Sequence, residues 1–410
     1  MTFAERMGDD VTRARWASEE GRRLIAFARG ARHRDGFGWL DEDGRIDPER
    51  PVETFITARM TYVFSLAYLL GEDTGELIDH GLRAMSGVLH DGQYGGWFHS
   101  TRREDRKEAY DHAHVMLAAA TAVTAGRPGA RDLLDEALEC VDLRFWEQQA
   151  GLSRDVWDRR WSTLEAYRGA NANMHLVEAF LAASDATGNP EWRLRGLGIA
   201  QRLIDGQARA QHWRLPEHYD PSWQVLLEYN ANTPAHPFRP YGATVGHWLE
   251  WARLLVHLHV GLADPPGWLL DDARLLFAAA TDQGWAVDGA PGLVYTVDWH
   301  GRPVIRQRMH WVLAEGLAAA AVLSRCTADP SYRGWEERWW AYADQFLIDL
   351  ERGSWHQELD EQNRPAATVW PGKPDIYHSY QPTILTRAPL ASSVPAAAVA
   401  LRNSPTSSVG

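Results

Sequence analysis

Seventeen histidines are spread through this 410-residue chain, and imidazole is the side chain that takes and gives protons near neutral pH. Three stand out by position: His175 in ANANMHLVEAF, His247 in GHWLEWARLL and His378 in KPDIYHSYQP. His247 and Glu250 are three residues apart and share a face of any helix they lie on. A carboxylate beside an imidazole fixes its orientation and raises its basicity, which is the arrangement of a general base or acid. A helix N-terminus pushes the other way and favours the neutral ring. Around these residues stand further polar side chains: Arg59, then Tyr110 with His112 and His114, then Asn171 and Asn173. Arg308, His310 and Glu315 follow, and Tyr377 comes last. Brought together, they would need partners, and a polyhydroxylated ligand supplies them.

Each of these residues also has an ordinary explanation. Histidine is often a satisfied interior or rim residue, and His80, His90, His212, His257 and His300 read as structural or surface groups. Glu250 could be a charge on a helix surface, although Trp248 and Trp251 beside it argue against an exposed face. The pairs His112/His114 and His257/His259 suggest a metal, but residues two apart on a helix point in different directions and do not clamp one ion. The expectation is a site without metal or redox cofactor. No P-loop, dinucleotide fingerprint or nucleophile elbow is present. The chief rival is glycoside hydrolysis by a carboxylate pair drawn from Asp111, Glu178, Glu250, Glu315 and Asp375. Histidines, not carboxylates, hold the central positions, which disfavours it.

The bulk composition narrows the partners. With 42 basic and 55 acidic residues the net charge is −13 and the basic groups are scattered, so nucleic acid and anionic membrane are excluded as partners. Cys140 and Cys326 are the two cysteines, far apart, which excludes a disulfide framework and fits a reducing compartment. No stretch of roughly 18 apolar residues occurs, and a cytoplasmic protein is the expectation. A homo-oligomer is compatible with this composition. Of the twenty tryptophans most should fill helix interfaces, while aromatic faces also suit the apolar faces of sugar rings.

Helical periodicity dominates, interrupted by stretches that recur: GFGWLDEDGRIDPE from Gly36, GGWFHSTRRED from Gly95, GLSRDVWDRRW from Gly151, RLPEHYDPSW from Arg214, GLVYTVDWHGRP from Gly292 and GSWHQELDEQNRP from Gly353. Their spacing of 56 to 78 residues is long enough for two helices and a hairpin. The expectation is an all-α (α/α)6 barrel, a six-hairpin toroid of about twelve helices with short β-hairpins at one end. The helices should lie near 12–31, 54–70, 75–90, 109–125, 131–146, 170–187, 190–208, 242–261, 268–282, 307–327 and 331–351, with one beginning near 376. Six pairs can close on themselves and dispense with the polar caps of an open solenoid. The even-numbered helices, with more continuous apolar stripes, should form the inner ring and bring their polar first turns to one mouth. One domain is expected over residues 1–401, with a frayed tail at 402–410. The segment 211–240 should lie beside the mouth as a lid.

Several runs carry a resemblance that covers nearly the whole chain in order: TARMTYVFSLA around Arg59, YGGWF at Tyr94, YRGANANMHLVEAFL around His175, FRPYGATVGHWLEW around His247, TVDWHGRP from Thr296, GSWHQELD from Gly353 and DIYHSYQ around His378. In these the chain resembles the N-acylglucosamine 2-epimerase superfamily, and within it the branch of bacterial mannose and sulfoquinovose isomerases. The resemblance implies aldose–ketose isomerisation or 2-epimerisation of an unphosphorylated sugar by proton transfer through an enediol. It implies that His378 takes the C2 proton, that His247 partners it in ring opening and proton delivery, and that Glu250 and Glu315 support the histidines. Arg59, Tyr110, Asn171 and His175 resemble the sugar-binding set, and Trp311 and Glu315 are placed with them as substrate contacts. The SYQP run after His378 departs from the more apolar text of the sulfoquinovose enzymes. A plain hexose, mannose converted to fructose, is therefore the expected substrate. A sulfoquinovose isomerase, a 2-epimerase, a glycosidase and a noncatalytic sugar-binding toroid are the alternatives.

Overall fold

Each of the six recurring stretches folds back on itself in a short antiparallel turn, as in the pairs Arg32/Phe37, His90/Trp97, Trp146/Ser153, Tyr219/Val225, Thr296/Ile305 and Glu358/Ala366. The structure is a computed structural model and describes residues 9–404. Between these turns lie the helices α1 (Asp10–Ala28), α2 (Thr54–Leu69), α3 (Gly75–Met85), α4 (Ala109–Thr124), α5 (Ala130–Cys140), α6 (Ala170–Thr187) and α7 (Pro190–Ala200). They continue with α8 (Val245–Gly261), α9 (Trp268–Gly284), α10 (His310–Thr327), α11 (Pro330–Tyr342), α12 (Tyr377–Leu385) and α13 (Val394–Arg402).

The chain alternates between two rings. Helices α2, α4, α6, α8, α10 and α12 are buried on nearly every face and pack side by side, and α12 meets α2 and α1 to close the circle. The outer helices are one-sided. In α3 the buried Leu77, Ile78, Gly81, Leu82 and Met85 recur at helical spacing and turn toward α2. Small residues make the inner packing close: α10 runs LAAAAV from Leu317, and a Cβ at Gly81 would fall 1.9 Å from Thr61 Oγ1 of α2.

The hairpins link neighbours around the ring. The first backbone N–H groups of five inner helices have no partner within their helix and donate instead to the next hairpin. Thr54 donates to His99 O at 2.9 Å, Ala109 to Asp155 O at 2.8 Å, Ala170 to Glu217 O at 3.0 Å, Val245 to Tyr295 O at 3.1 Å and His310 to Gln357 O at 3.0 Å. Ion pairs repeat with the same symmetry, from a base just before an inner helix to an acid at a hairpin: Lys107–Asp91 at 3.1 Å, Arg168–Glu147 at 3.5 Å, Arg308–Asp288 at 2.7 Å and Lys373–Asp349 at 2.7 Å. These contacts gather all six inner N-termini at one end of the ring, which is the geometry read from the repeat.

The expected twelve helices match α1 to α12, and α13 is an addition. It packs on α2, α6 and α12, while Ser393 caps it and donates to Asp185 at 2.6 Å, and His257 Nδ1 donates to Ala391 O at 2.8 Å. Asp185 and His257 lie near the C-terminal ends of α6 and α8, so α13 closes the end of the ring away from the hairpins. A nine-residue helix is too short to stand by itself and owes its form to this packing, which no local pattern announces. Arg402, where the expected tail begins, is the last residue of α13, and positions 405–410 of that tail lie outside the described residues. Among the described residues no helix is long and apolar enough to cross a membrane.

Candidate active site

The first turns of the inner helices surround one cavity, partly open to solvent. Arg59, Tyr110, Asn171, His175, His247, Glu250, Trp311 and His378 all line it, although they come from six different helices or the turns before them. Glu315 does not. Expected among the substrate contacts, it is fully buried and stands behind His378, with Oε1 2.8 Å from His378 Nδ1. A carboxylate only accepts, so Nδ1 carries the hydrogen and Nε2 is left with its lone pair for the cavity. Burial, followed by the nearby Arg59 cation, holds His378 well below the usual histidine range, and the ring is neutral.

His247 is held in the same way by a different residue from the one its spacing suggests. Its Nδ1 lies 2.9 Å from Oε1 of Glu217, in the fourth hairpin, and Glu250 makes no bond to it. The reason is geometric. Side chains lean toward the helix N-terminus, so a first-turn residue reaches past the helix end toward the hairpin, while Glu250 sits one turn deeper. Both imidazoles rest on the indole of Trp311, at centroid separations of 5.3 Å for His247 and 5.5 Å for His378. Trp311 is wedged against Gly246, where a Cβ would meet its ring at 2.3 Å, so the glycine in GHW is required by close approach.

Beneath the cavity a single buried guanidinium gathers three carboxylates. Arg253 Nε donates to Glu315 at 2.9 Å, NH1 donates to Glu178 at 3.1 Å, and NH2 lies 3.6 Å from Glu250. Glu178 also accepts from Tyr377 OH. One cation does not balance three anions, and burial together with Glu315 pushes Glu250 well above the usual carboxylate range. Glu250 faces the cavity with neither oxygen bonded within the protein. Ligand atoms of His175, Glu178 and Glu250, and of Glu250, Glu315 and His378, come within 4.8 Å of one another, a spacing a metal could use. The positive charge at that place is Arg253.

Arg59 forms the opposite wall. Its guanidinium donates to Tyr110 OH at 2.6 Å and to His114 Nε2 at 3.0 Å, and NH1 stands 3.5 Å from Asp375. His114 Nδ1 donates to Tyr110 O at 2.8 Å, so this histidine aims the arginine and stays neutral by burial. His112 likewise bonds Glu108 O at 2.7 Å, so neither member of the pair points at the other as metal ligands would. Asn173 and Arg308, also at helix starts, turn away to Ser153 and Asp288. Asn171 Oδ1, His175 Nδ1 and His310 Nε2 line the cavity buried and without a hydrogen-bond partner in the protein, and burial lowers His310 to about 4. Unpartnered polar atoms of this kind are costly unless a polar ligand meets them.

Sequence reasoning missed Glu217, Tyr295 and Gln357. They occupy equivalent places in three hairpins, being the residues whose carbonyls receive the inner-helix N–H groups. The repeat itself was the signal that could have found them. It also missed the outer aromatic rim of Trp39, Phe55, Phe238 and Trp370.

Fold and site together define a class: a helical toroid whose central cavity presents histidines braced by buried carboxylates. The chain belongs to the N-acylglucosamine 2-epimerase (GlcNAc 2-epimerase) family, whose model matches residues 36–382. It is 53% identical over 387 residues to a D-mannose isomerase of Thermobifida fusca, covering 92% of this chain and 95% of that protein. It is 47% identical to a D-mannose isomerase of Pseudomonas cannabina pv. alisalensis, covering 94% and 95%. A crystal structure of a D-mannose isomerase superposes with a TM-score of 0.85 at 29% identity, over 91% of this chain and 97% of that one. A cellobiose 2-epimerase from Spirochaeta thermophila shares the fold, with a TM-score of 0.78 at 21% identity over 92% and 96% of the two chains.

Proposed function

We propose that this chain is an aldose–ketose isomerase that converts D-mannose to D-fructose through an enediol. The relatives named D-mannose isomerase, at 53% and 47% identity over nearly the full length, support the substrate. The observation that carries the mechanism is that two imidazoles in one cavity are each bound through Nδ1 to a buried carboxylate, His378 to Glu315 and His247 to Glu217.

Mannose enters as a closed ring. His247 takes the proton from O1, the C1–O5 bond breaks, and O5 gains a proton, which gives the C1 aldehyde. His378 Nε2 then takes the proton from C2, the electron pair moves into the C1–C2 bond, and O1 gains a proton. Return of the proton from His378 to C1, with loss of the proton on O2, gives the ketose. One proton is lost at C2 and one is gained at C1, the proton on the imidazole exchanging with water while the enediol is bound, and O2 gives up what O1 received. A neutral base is required over C2, and burial keeps His378 neutral. Arg59 and Tyr110 stabilise the oxyanion as it develops, an effect of about 100-fold or more per donor. Glu250, whose two oxygens have no bond within the protein, pairs with a sugar hydroxyl.

Hydrolysis fits these carboxylates less well. Glu178 and Glu315 are bonded to Arg253, and Asp111 pairs with His99 at 2.9 Å outside the cavity. Incubation of the protein with mannose in deuterated water should give fructose with solvent label at C1. Glucose as the main product would replace the reading by a 2-epimerase, and no turnover of mannose would end it.

A further inference from the structure

The outer side of the cavity is roofed by aromatic rings that the proton transfers do not use. Phe238, in the segment between the fourth hairpin and α8, stands edge-on to Trp370 at 5.0 Å and to Phe55 at 6.1 Å between centroids. Trp370 in turn stacks on Trp39 at 6.3 Å. The braced imidazoles point into the same cavity from the buried side, so a sugar whose C1 and C2 reach them turns its C4 to C6 end toward these rings.

The two leaves of the roof are held very differently. Glu358, fully buried, accepts the backbone N–H groups of Thr368 at 3.0 Å, Val369 at 2.7 Å and Trp370 at 3.1 Å, and the Thr368 hydroxyl as well. Three charge-assisted bonds to one buried carboxylate make that loop costly to move. Trp39 Nε1 adds a bond to Pro371 O at 3.2 Å. Phe238, by contrast, is 40% exposed, and its neighbours from 231 to 237 are mostly exposed. Its segment is anchored by the paired Arg239–Glu165 bonds at 2.8 and 2.9 Å, by bonds from Tyr295 OH to Pro237 O at 3.3 Å and from Asn230 Nδ2 to Arg239 O at 2.6 Å, and by a bond from the Phe238 N–H to His236 Nδ1 at 3.2 Å. The one charged pair is partly exposed, and none of these bonds reaches a fully buried carboxylate such as Glu358.

We infer that Phe238 and Trp370 form a size filter that admits a free aldohexose and rejects the same sugar carrying a second sugar ring on O4, Phe238 being the leaf that yields as the monosaccharide passes. This rests on the isomerase reading and specifies its substrate class. The fold does not impose the restriction, because proteins named cellobiose 2-epimerase share the toroid; the roof residues impose it. A second ring on O4 would occupy the space where Phe238 meets Trp370, and of these two leaves Phe238 is the more exposed.

The test compares kcat/KM for mannose and for β-1,4-mannobiose in the parent, in Phe238→Ala and in Phe238→Ala/Trp370→Ala. The parent should discriminate by about 100-fold or more, as a steric block does, and each truncation should raise the mannobiose-to-mannose ratio by about 10-fold. Binding of both sugars is read in parallel through tryptophan fluorescence. A parent that binds mannose but does not turn it over would sink the isomerase reading, while the binding ratio would still test the filter. The filter is overturned if the parent handles both sugars within a few-fold, or if neither truncation raises the ratio in turnover or binding.

Discussion

The Nδ1 atom of His378 lies 2.8 Å from Oε1 of Glu315, although 63 positions separate the two residues. The carboxylate is fixed from its other side by Arg253, so ring orientation and tautomer are set before any substrate arrives. His247 and Glu217 repeat the device across the cavity from a hairpin rather than a helix. The proposed transfer between neighbouring carbons needs an accepting nitrogen that is already free, and in both pairs the carboxylate engages Nδ1 and not Nε2.

Glu315→Gln keeps the shape of the side chain and removes its charge. It should lower kcat on mannose by about 10- to 100-fold with a smaller effect on KM, since the ring loses its fixed tautomer and basicity. The acid limb of the pH–rate profile should move to lower pH. An unchanged kcat and profile would mean that Glu315 does not act through His378.

Arg253 is the guanidinium shared by Glu178, Glu250 and Glu315, and replacing it with Met removes the cation nearest all three. Unfolding in denaturant should show a loss of about 3 to 5 kcal/mol. Adding Glu178→Gln should recover part of it, because a neutral amide needs no cation. Equal stability of the single and double variants would refute this account.

Gly246→Ala places a methyl carbon against the Trp311 ring, where the gap is 2.3 Å. Since Trp311 supports both imidazoles, kcat/KM on mannose should fall by about 10-fold or more while the melting temperature changes little, the misplacement being of the order that disables catalysis. Normal activity in this variant would show that the indole does not position the histidines.

His257 is buried far from the cavity, and burial lowers it to about 4 from an ordinary 6.5. As pH falls from 6.5 toward 4 the unfolded chain takes a proton that the folded chain refuses, so stability is lost in that window and is fully present above it. His257→Gln should flatten this loss by about 3 kcal/mol, at about 1.4 kcal/mol per pKa unit. Urea unfolding of parent and variant between pH 4 and 8 measures it, and parallel curves would contradict the assignment.

Much of the architecture was legible because it repeats. The recurring hairpins gave the number of helix pairs, and apolar runs such as Leu313 to Leu323 marked the inner ring. Arg59, Tyr110, Asn171, His175, His247 and His378 could be placed together because each stands at or near an inner-helix start, and a closed ring brings all such starts to one mouth. The helix α13 could not be read in this way, since it belongs to no pair and is held by Asp185 and by the far ends of helices distant in sequence.

What the sequence determined by itself is which helix starts meet at the cavity, because position along an amphipathic or fully buried helix is a local property written in the pattern of apolar residues. What only the tertiary structure decided is how those side chains are paired. Spacing assigned Glu250 to His247, yet the acid that holds this ring is Glu217, 30 residues away, and Glu250 lies instead 3.6 Å from Arg253. Partnership between charges depends on distance in space and on exclusion of water, and neither is fixed until the ring has closed.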